Sequence, residues 1–169
     1  DQDLDAAIEA AVSGDILVSA DGSDITLTVA QANLMLTKGA SFHEEDTVTL
    51  SDSADAIIGN NTDLFDAEGE IDSALNIGSV VADDDTGDVG ALNVADASTL
   101  VARVYNDDEL TMTLDVASGD HTIADAVNFA MGTDAHVTEI DLAKGTYTGN
   151  ENIYITKPIA IVGESDGTG

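Results

Sequence analysis

Aspartates recur at two tight turns, Asp21-Gly-Ser-Asp24 and Asp83-Asp-Asp-Thr-Gly-Asp88. Hard cations such as calcium take about six to eight oxygen ligands, which carboxylates and turn carbonyls supply. Asp21, Asp24, Asp83, Asp85 and Asp88 are therefore candidate metal ligands, and calcium is the candidate cofactor. The same residues also make good hairpin turns, because glycine accepts positive φ and aspartate bonds the turn backbone. Both readings fit the residue types. Neither turn is an EF-hand: the stretch from Asp83 has its glycine one place early and no glutamate at the closing position.

Catalytic chemistry finds less support. His43, His121 and His136 stand apart from one another, with no His-x-x-x-His pairing, no Gly-x-Ser-x-Gly elbow and no cysteine. His43 with Glu44, Glu45 and Asp46 reads as a weak metal site or as a solvated acidic turn. Glycoside hydrolysis uses two carboxylates about 5 to 9.5 Å apart, but carboxylates are so abundant in this chain that pairs of them carry no information. The expectation is a protein that is not an enzyme.

The elements that must position these groups belong to a chain of 169 residues, 43% hydrophobic, enough for a sizeable core. Its formal charge is −30, from 34 acidic against four basic residues. That charge repels phosphate backbones and anionic membranes, so nucleic acid is excluded as a partner. It also repels itself, which calls for bound cations or for salt, whose screening length is about 8 Å at physiological strength. No apolar run approaches the roughly 20 residues of a membrane-spanning helix. The acidity and the Asp1 start imply a secreted or cell-surface protein whose leader has been removed, or a piece of a larger one.

An internal repeat runs through the chain at an offset of 64 or 65 residues. Asp21-Gly-Ser-Asp24-Ile25 returns as Asp85-Thr-Gly-Asp88-Val89, and Thr47-Val-Thr-Leu50 returns as Thr111-Met-Thr-Leu114. Val29-Ala-Gln-Ala-Asn-Leu34 matches Val94-Ala-Asp-Ala-Ser-Thr-Leu100, and Lys38 matches Arg103. Each of those cations precedes an acidic turn and could pair with it or with the preceding hairpin, a structural role. Leu4, Ile8, Ala11 and Val12 share the helical spacing of Ile123, Val127, Ala130 and Met131. The pattern predicts helices over 4–12, 30–37, 54–59, 96–105 and 122–131. It predicts strands over 16–20, 25–29, 47–50, 74–82, 89–94, 110–116, 137–142 and 152–162, with a linker over 60–72.

The segment from Thr122 to Glu164 holds an amphipathic helix, then Lys144-Gly-Thr-Tyr147, a short gap, and Ile153-Tyr-Ile-Thr-Lys-Pro-Ile-Ala-Ile-Val-Gly-Glu164. Residues 120–164 resemble the N-terminal cap and first coil of a right-handed parallel β-helix, as in pectin-lyase-like proteins. The rest resembles repeats of bacterial or archaeal secreted surface proteins. The expected fold is mixed β with short helices, in a repeat or solenoid-like arrangement whose C-terminal part begins a parallel β-helix. Units are expected at 1–60, 61–119 and 120–169. The expected function is a non-catalytic structural or adhesive module of an acidic surface protein or fibre. The alternative is the N-terminal part of a β-helix polysaccharide-degrading enzyme with its active site beyond residue 169. Expected partners are another copy or a continuation of the chain at the last coil, and surface polysaccharide.

Overall fold

The structure, a computed structural model, describes residues 16–18, 24–42, 45–60, 64–65, 71, 75–82, 88–107, 110–132, 136–149 and 152–164. Two units are distinguished by their internal contacts, Asp1–Asp84 with Ala102–Asp108, and Asp85–Val101 with Glu109–Gly169. In chain order the first holds β1 (Ile16–Val18), β2 (Asp24–Leu27), α1 (Val29–Lys38), β3 (Ala40–Phe42), β4 (Thr47–Asp52), α2 (Ala54–Gly59) and β5 (Ile77–Ala82). Then come β6 (Asp88–Leu92), α3 (Val94–Arg103), β7 (Thr111–Val116), α4 (Thr122–Gly132), β8 (His136–Leu142) and β9 (Ala160–Gly163). All of these strands pair in parallel: β1 with β3, then β2-β4-β5, then β6-β7-β8-β9. Parallel neighbours need a crossover, and a short helix lies between β2 and β4, β4 and β5, β6 and β7, and β7 and β8. The fold is therefore mixed α/β, with short helices and parallel sheets.

Local chemistry explains where the helices begin and end. Thr28 accepts from the Gln31 backbone N–H at 3.2 Å while the Gln31 side chain accepts from the Thr28 N–H at 3.0 Å, a reciprocal capping box. Gly39, at φ 67°, stops α1 in the left-handed conformation that glycine tolerates best. Ser53 caps α2 through the Ala56 N–H, and the Asn93 side chain accepts from the Asp96 N–H at the start of α3. Asp52 closes two further gaps, accepting from the N–H groups of Val29 and Ser53 at 2.9 and 2.8 Å.

The internal repeat is legible in the core. Leu27, Leu50 and Val80 stand in register across β2, β4 and β5, and Leu92, Leu114 and Ile140 do so across β6, β7 and β8. All six are buried, as are Ala32 and Ala97 on the crossover helices. Fully burying one such aliphatic side chain stabilises by about 1.5–3 kcal/mol. Both sheets even break register at the same place, between Val48 and Thr49 in one and between Met112 and Thr113 in the other. Burial corrects one correspondence: Met35, not the half-buried Leu34, takes the place of Leu100 on the inner face.

Two strand expectations change. β3 was not predicted, because three residues after a helix-ending glycine are too few for an alternating pattern to show. The strand expected over 152–162 is reduced to Ala160–Gly163, since Pro158 has no N–H to give a ladder and disfavours regular pairing around it. The helix expected over 4–12 lies outside the described residues. Within 60–72, Leu64 and Phe65 are buried and Phe65 bridges Ile71 in antiparallel fashion. No helix among the described residues is long and apolar enough to cross a membrane.

Candidate functional site

The ends of four parallel strands in the second unit build an open groove of about 530 Å³. Asn93 follows β6, Asp115 is the penultimate residue of β7, Asp141 that of β8, and Glu164 follows β9. These four side chains line the groove together with Val116, Ala117, Leu142, Ala143, Val162 and Gly163. The carboxyl ends of parallel strands are where ligands gather in open α/β sheets. Register explains the clustering: Asp115 faces Asp141 across β7 and β8, and Thr113 faces Glu139. Alternation along a strand then puts Glu139 and Asp141 on one face. The nearby Asp141 carboxylate, with a lesser contribution from desolvation and a shared hydrogen bond, raises the pKa of Glu139 above its ordinary value.

A second groove, of about 390 Å³, shares Leu142, Ala143, Gly163 and Glu164 with the first and is walled by Lys144, Gly145 and Tyr147. Here the Gly-Thr-Tyr turn gains a physical account. The Tyr147 hydroxyl donates to the carbonyl of Val116 at 3.0 Å and also to that of Ala143. Thr148 donates its N–H to Gly119 and accepts from the His121 N–H at 2.8 Å, and its hydroxyl donates to Asp120 at 3.0 Å. The turn thus clamps the loop ahead of α4. A Cβ on Gly145 would fall 2.2 Å from Cβ of Ser118, and one on Gly149, itself at φ 67°, would fall 2.3 Å from Oδ1 of Asp120. At Gly145 a side chain would collide with Ser118, and at Gly149 the positive φ disfavours one and the exposed Asp120 and His121 side chains would have to move. The clamp orients the groove wall, since Lys144 donates its N–H to the Glu164 carboxylate at 3.2 Å and Glu164 donates its own to the Leu142 carbonyl at 3.0 Å.

The lining supplies hydrogen-bond acceptors and negative charge, and carboxylates of this kind serve as ligands, bases or nucleophiles. It suits a hydroxyl-rich ligand. His121 lies 3.6 Å from the Asp120 carboxylate, both exposed.

The aspartates nominated from sequence lie elsewhere. Asp24 opens β2 opposite Thr47, and Asp88 opens β6 opposite Thr111. Asp88 accepts from the Gly90 N–H at 3.0 Å, the backbone bond expected of a turn aspartate. Asp21, Asp83 and Asp85 lie outside the described residues. Among the described residues no group of three or more His, Cys, Asp or Glu side chains is arranged to hold a metal. Asp115, Asp141 and Glu164 were missed. Their signal was present in Leu114-Asp-Val116 and Ile140-Asp-Leu142, an acidic residue directly after the core position of successive strands.

Arg103 also departs from expectation. Its guanidinium donates to the main-chain carbonyls of Ile57 and of Ile58, the latter at 3.0 Å, and lies 4.8 Å from the centre of the Phe65 ring. Its role is structural: it neutralises the carbonyl end of α2, where the helix dipole is negative. No family model, no curated protein and no solved structure matches the chain.

Proposed function

We propose that this chain is a non-catalytic structural and adhesive repeat module of a secreted, acidic cell-surface protein or extracellular fibre. The observation that supports it best is the recurrence of one arrangement, in which Leu27, Leu50 and Val80 return as Leu92, Leu114 and Ile140 with the same register break. Successive parallel strands joined by short crossovers read as coils of a solenoid, with the C-terminal part opening a right-handed parallel β-helix. In such an architecture each coil buries its neighbour's apolar face, and length is gained by repetition. The acidic turns and the groove carboxylates then gather cations, calcium among them, or contact surface polysaccharide.

A second reading, the N-terminal portion of a polysaccharide-degrading enzyme, is favoured by Asp115, Asp141 and Glu164 converging on one groove. Two measurements separate them. Antibody labelling of intact source cells should reach the protein, and the purified chain should release no reducing ends or unsaturated sugars from acidic or neutral polysaccharides. Depolymerisation abolished by Asp115→Asn or Asp141→Asn would establish the enzyme, and a strictly internal location would end the surface-module reading.

A further inference from the structure

We propose that Met131 is an oxidation site, at which hydrogen peroxide converts the thioether to a sulfoxide and so frees the segment that carries Tyr154 and Ile155. Neither groove includes this residue, so failure of the proposal leaves the module reading untouched.

One sulfur atom gathers three donors. Met131 is the penultimate residue of α4, next to the buried Ala130. The backbone N–H groups of Thr156 and Lys157 donate to its Sδ at 3.2 and 3.3 Å, and the Thr156 hydroxyl donates to it at 3.5 Å. Residues 153–156 belong to no helix or strand, and Tyr154 and Ile155 among them are 76 and 50% exposed. A thioether is a weak acceptor. A stretch of main chain outside the sheet is thus fastened to the end of α4 through a contact that is easily weakened.

Composition and burial single this methionine out. With no cysteine in the chain, its thioethers are the side chains that a peroxide oxidises most readily. Met35 and Met112 are fully buried, whereas Met131, the third methionine, is only part-buried. An oxidant has to touch the sulfur, and in the folded chain it reaches Met131 first.

The reaction is self-contained once the peroxide is present. A sulfur lone pair attacks one peroxide oxygen, the S–O bond forms as the O–O bond breaks, and after proton transfer the second oxygen leaves as water. Sulfur gives up the electron pair that the peroxide gains. The product does not fit the existing contact. Both backbone nitrogens already lie close to the sulfur itself, so an oxygen added on their side would come nearer to them than the roughly 2.7–3.2 Å of an N–H···O bond. Added on the other side, it takes up a lone pair and draws charge from the sulfur, leaving a poorer acceptor. Either way the segment loses its hold, and a flexible apolar side chain becomes a polar one.

Peptide mass spectrometry of the folded 169-residue chain under graded hydrogen peroxide should show Met131 oxidised at least tenfold faster than Met35 and Met112. Hydrogen exchange reads the consequence: the amides of Thr156 and Lys157 should exchange at least tenfold faster after oxidation, while those of β7 stay unchanged. Methionine sulfoxide reductase should restore the slow exchange. Met131→Leu, which keeps the size of the side chain and removes the acceptor, should show the fast exchange without peroxide and no further change with it. Equal oxidation of the three methionines overturns the proposal. So does slow exchange at Thr156 and Lys157 that survives either oxidation or Met131→Leu.

Discussion

The two copies of the repeat share a core and differ at their polar ends. In the first, Thr49 and Ser79 stand opposite each other and join their hydroxyls at 2.9 Å, while Ser51 faces Val81. In the second, the same positions hold Thr113 opposite Glu139, and Asp115 opposite Asp141. The strand-end carboxylate of the first copy, Asp52, is consumed in bonding the backbone of Val29 and Ser53, whereas those of the second line an open groove. The inner ladders differ in the same sense. Val80 is fully buried and bridged by Tyr105, whose hydroxyl donates to the Ile77 carbonyl at 2.7 Å, but the second ladder runs on to a part-exposed Ile161. At these outward strand positions the first copy carries hydroxyl and apolar side chains and the second carries carboxylates. The difference teaches that the inward residues specify the repeated strand and helix unit, leaving the outward ones to vary.

The largest test breaks the shared core. Leu50→Ala and Leu114→Ala remove equivalent, fully buried side chains, and each should cost about 2–5 kcal/mol by denaturant unfolding. Similar losses are expected from both. A loss at either position below that of an ordinary surface substitution would show that the two ladders are not equivalent.

Calcium sharpens the comparison next. Ligand linkage adds about 2.7 kcal/mol when the free ion is 100 times its dissociation constant. Millimolar calcium should raise the melting temperature relative to chelator at fixed ionic strength. If the turns carry the effect, Asp24→Asn and Asp88→Asn reduce it; if the groove does, Asp115→Asn and Asp141→Asn reduce it. An identical melting curve with and without the ion leaves the turn aspartates as backbone-bonding residues alone, joining strands of different sheets and not a hairpin.

A smaller difference is expected from the two equivalent cations. Arg103→Ala removes bonds to two helix-end carbonyls and the contact with Phe65, and should cost about 1.5–3 kcal/mol, the range for hydrogen bonds to a charged group. Lys38, in the last turn of α1, cannot present a planar fork of donors. Lys38→Ala should therefore cost less, and thermal unfolding of the two variants side by side decides it. Equal losses would mean that Arg103 acts through charge alone.

Much of this organisation was legible because one period governs it. Helices at 54–59 and 122–131, and strands at 110–116 and 137–142, follow from apolar spacing, and the 64-residue offset predicted which residues share a role. Short-range signals failed where length or backbone chemistry intervened, as at Ala40–Phe42 and around Pro158. The groove was hidden for a different reason. Asn93, Asp115, Asp141 and Glu164 are separated by 22, 26 and 23 positions, and register alone brings them together. In a chain with 34 acidic residues, composition cannot distinguish those four groups from their neighbours. The aspartates of the Gly-containing turns stood out instead because glycine marks a turn.

The smallest expected effect concerns Glu139. Its pKa is raised above the ordinary value of 4.5, chiefly by the Asp141 carboxylate, and the position it occupies is held in the first copy by the uncharged Ser79. A raised carboxyl pKa means that the folded chain binds more protons than the unfolded one in the interval above 4.5. In that interval the dependence of stability on pH is negative. Stability from this group is thus greatest at the acidic end and falls as pH rises through the folded pKa, the reverse of a salt-bridged carboxylate. Glu139→Gln removes the repulsion with Asp141 and should raise the melting temperature slightly at neutral pH, with no gain at a pH below 4.5. Ser79→Glu loses the bond to the Thr49 hydroxyl and should lower the melting temperature by a similar amount at every pH, because Thr49 across the ladder and Val81 two residues on offer the new carboxylate no charged partner. Melting curves of the three proteins from pH 4 to 8 test this. If Glu139→Gln gains as much in acid as at neutrality, Glu139 and Asp141 do not repel one another, and this strand face carries no electrostatic cost from the pair.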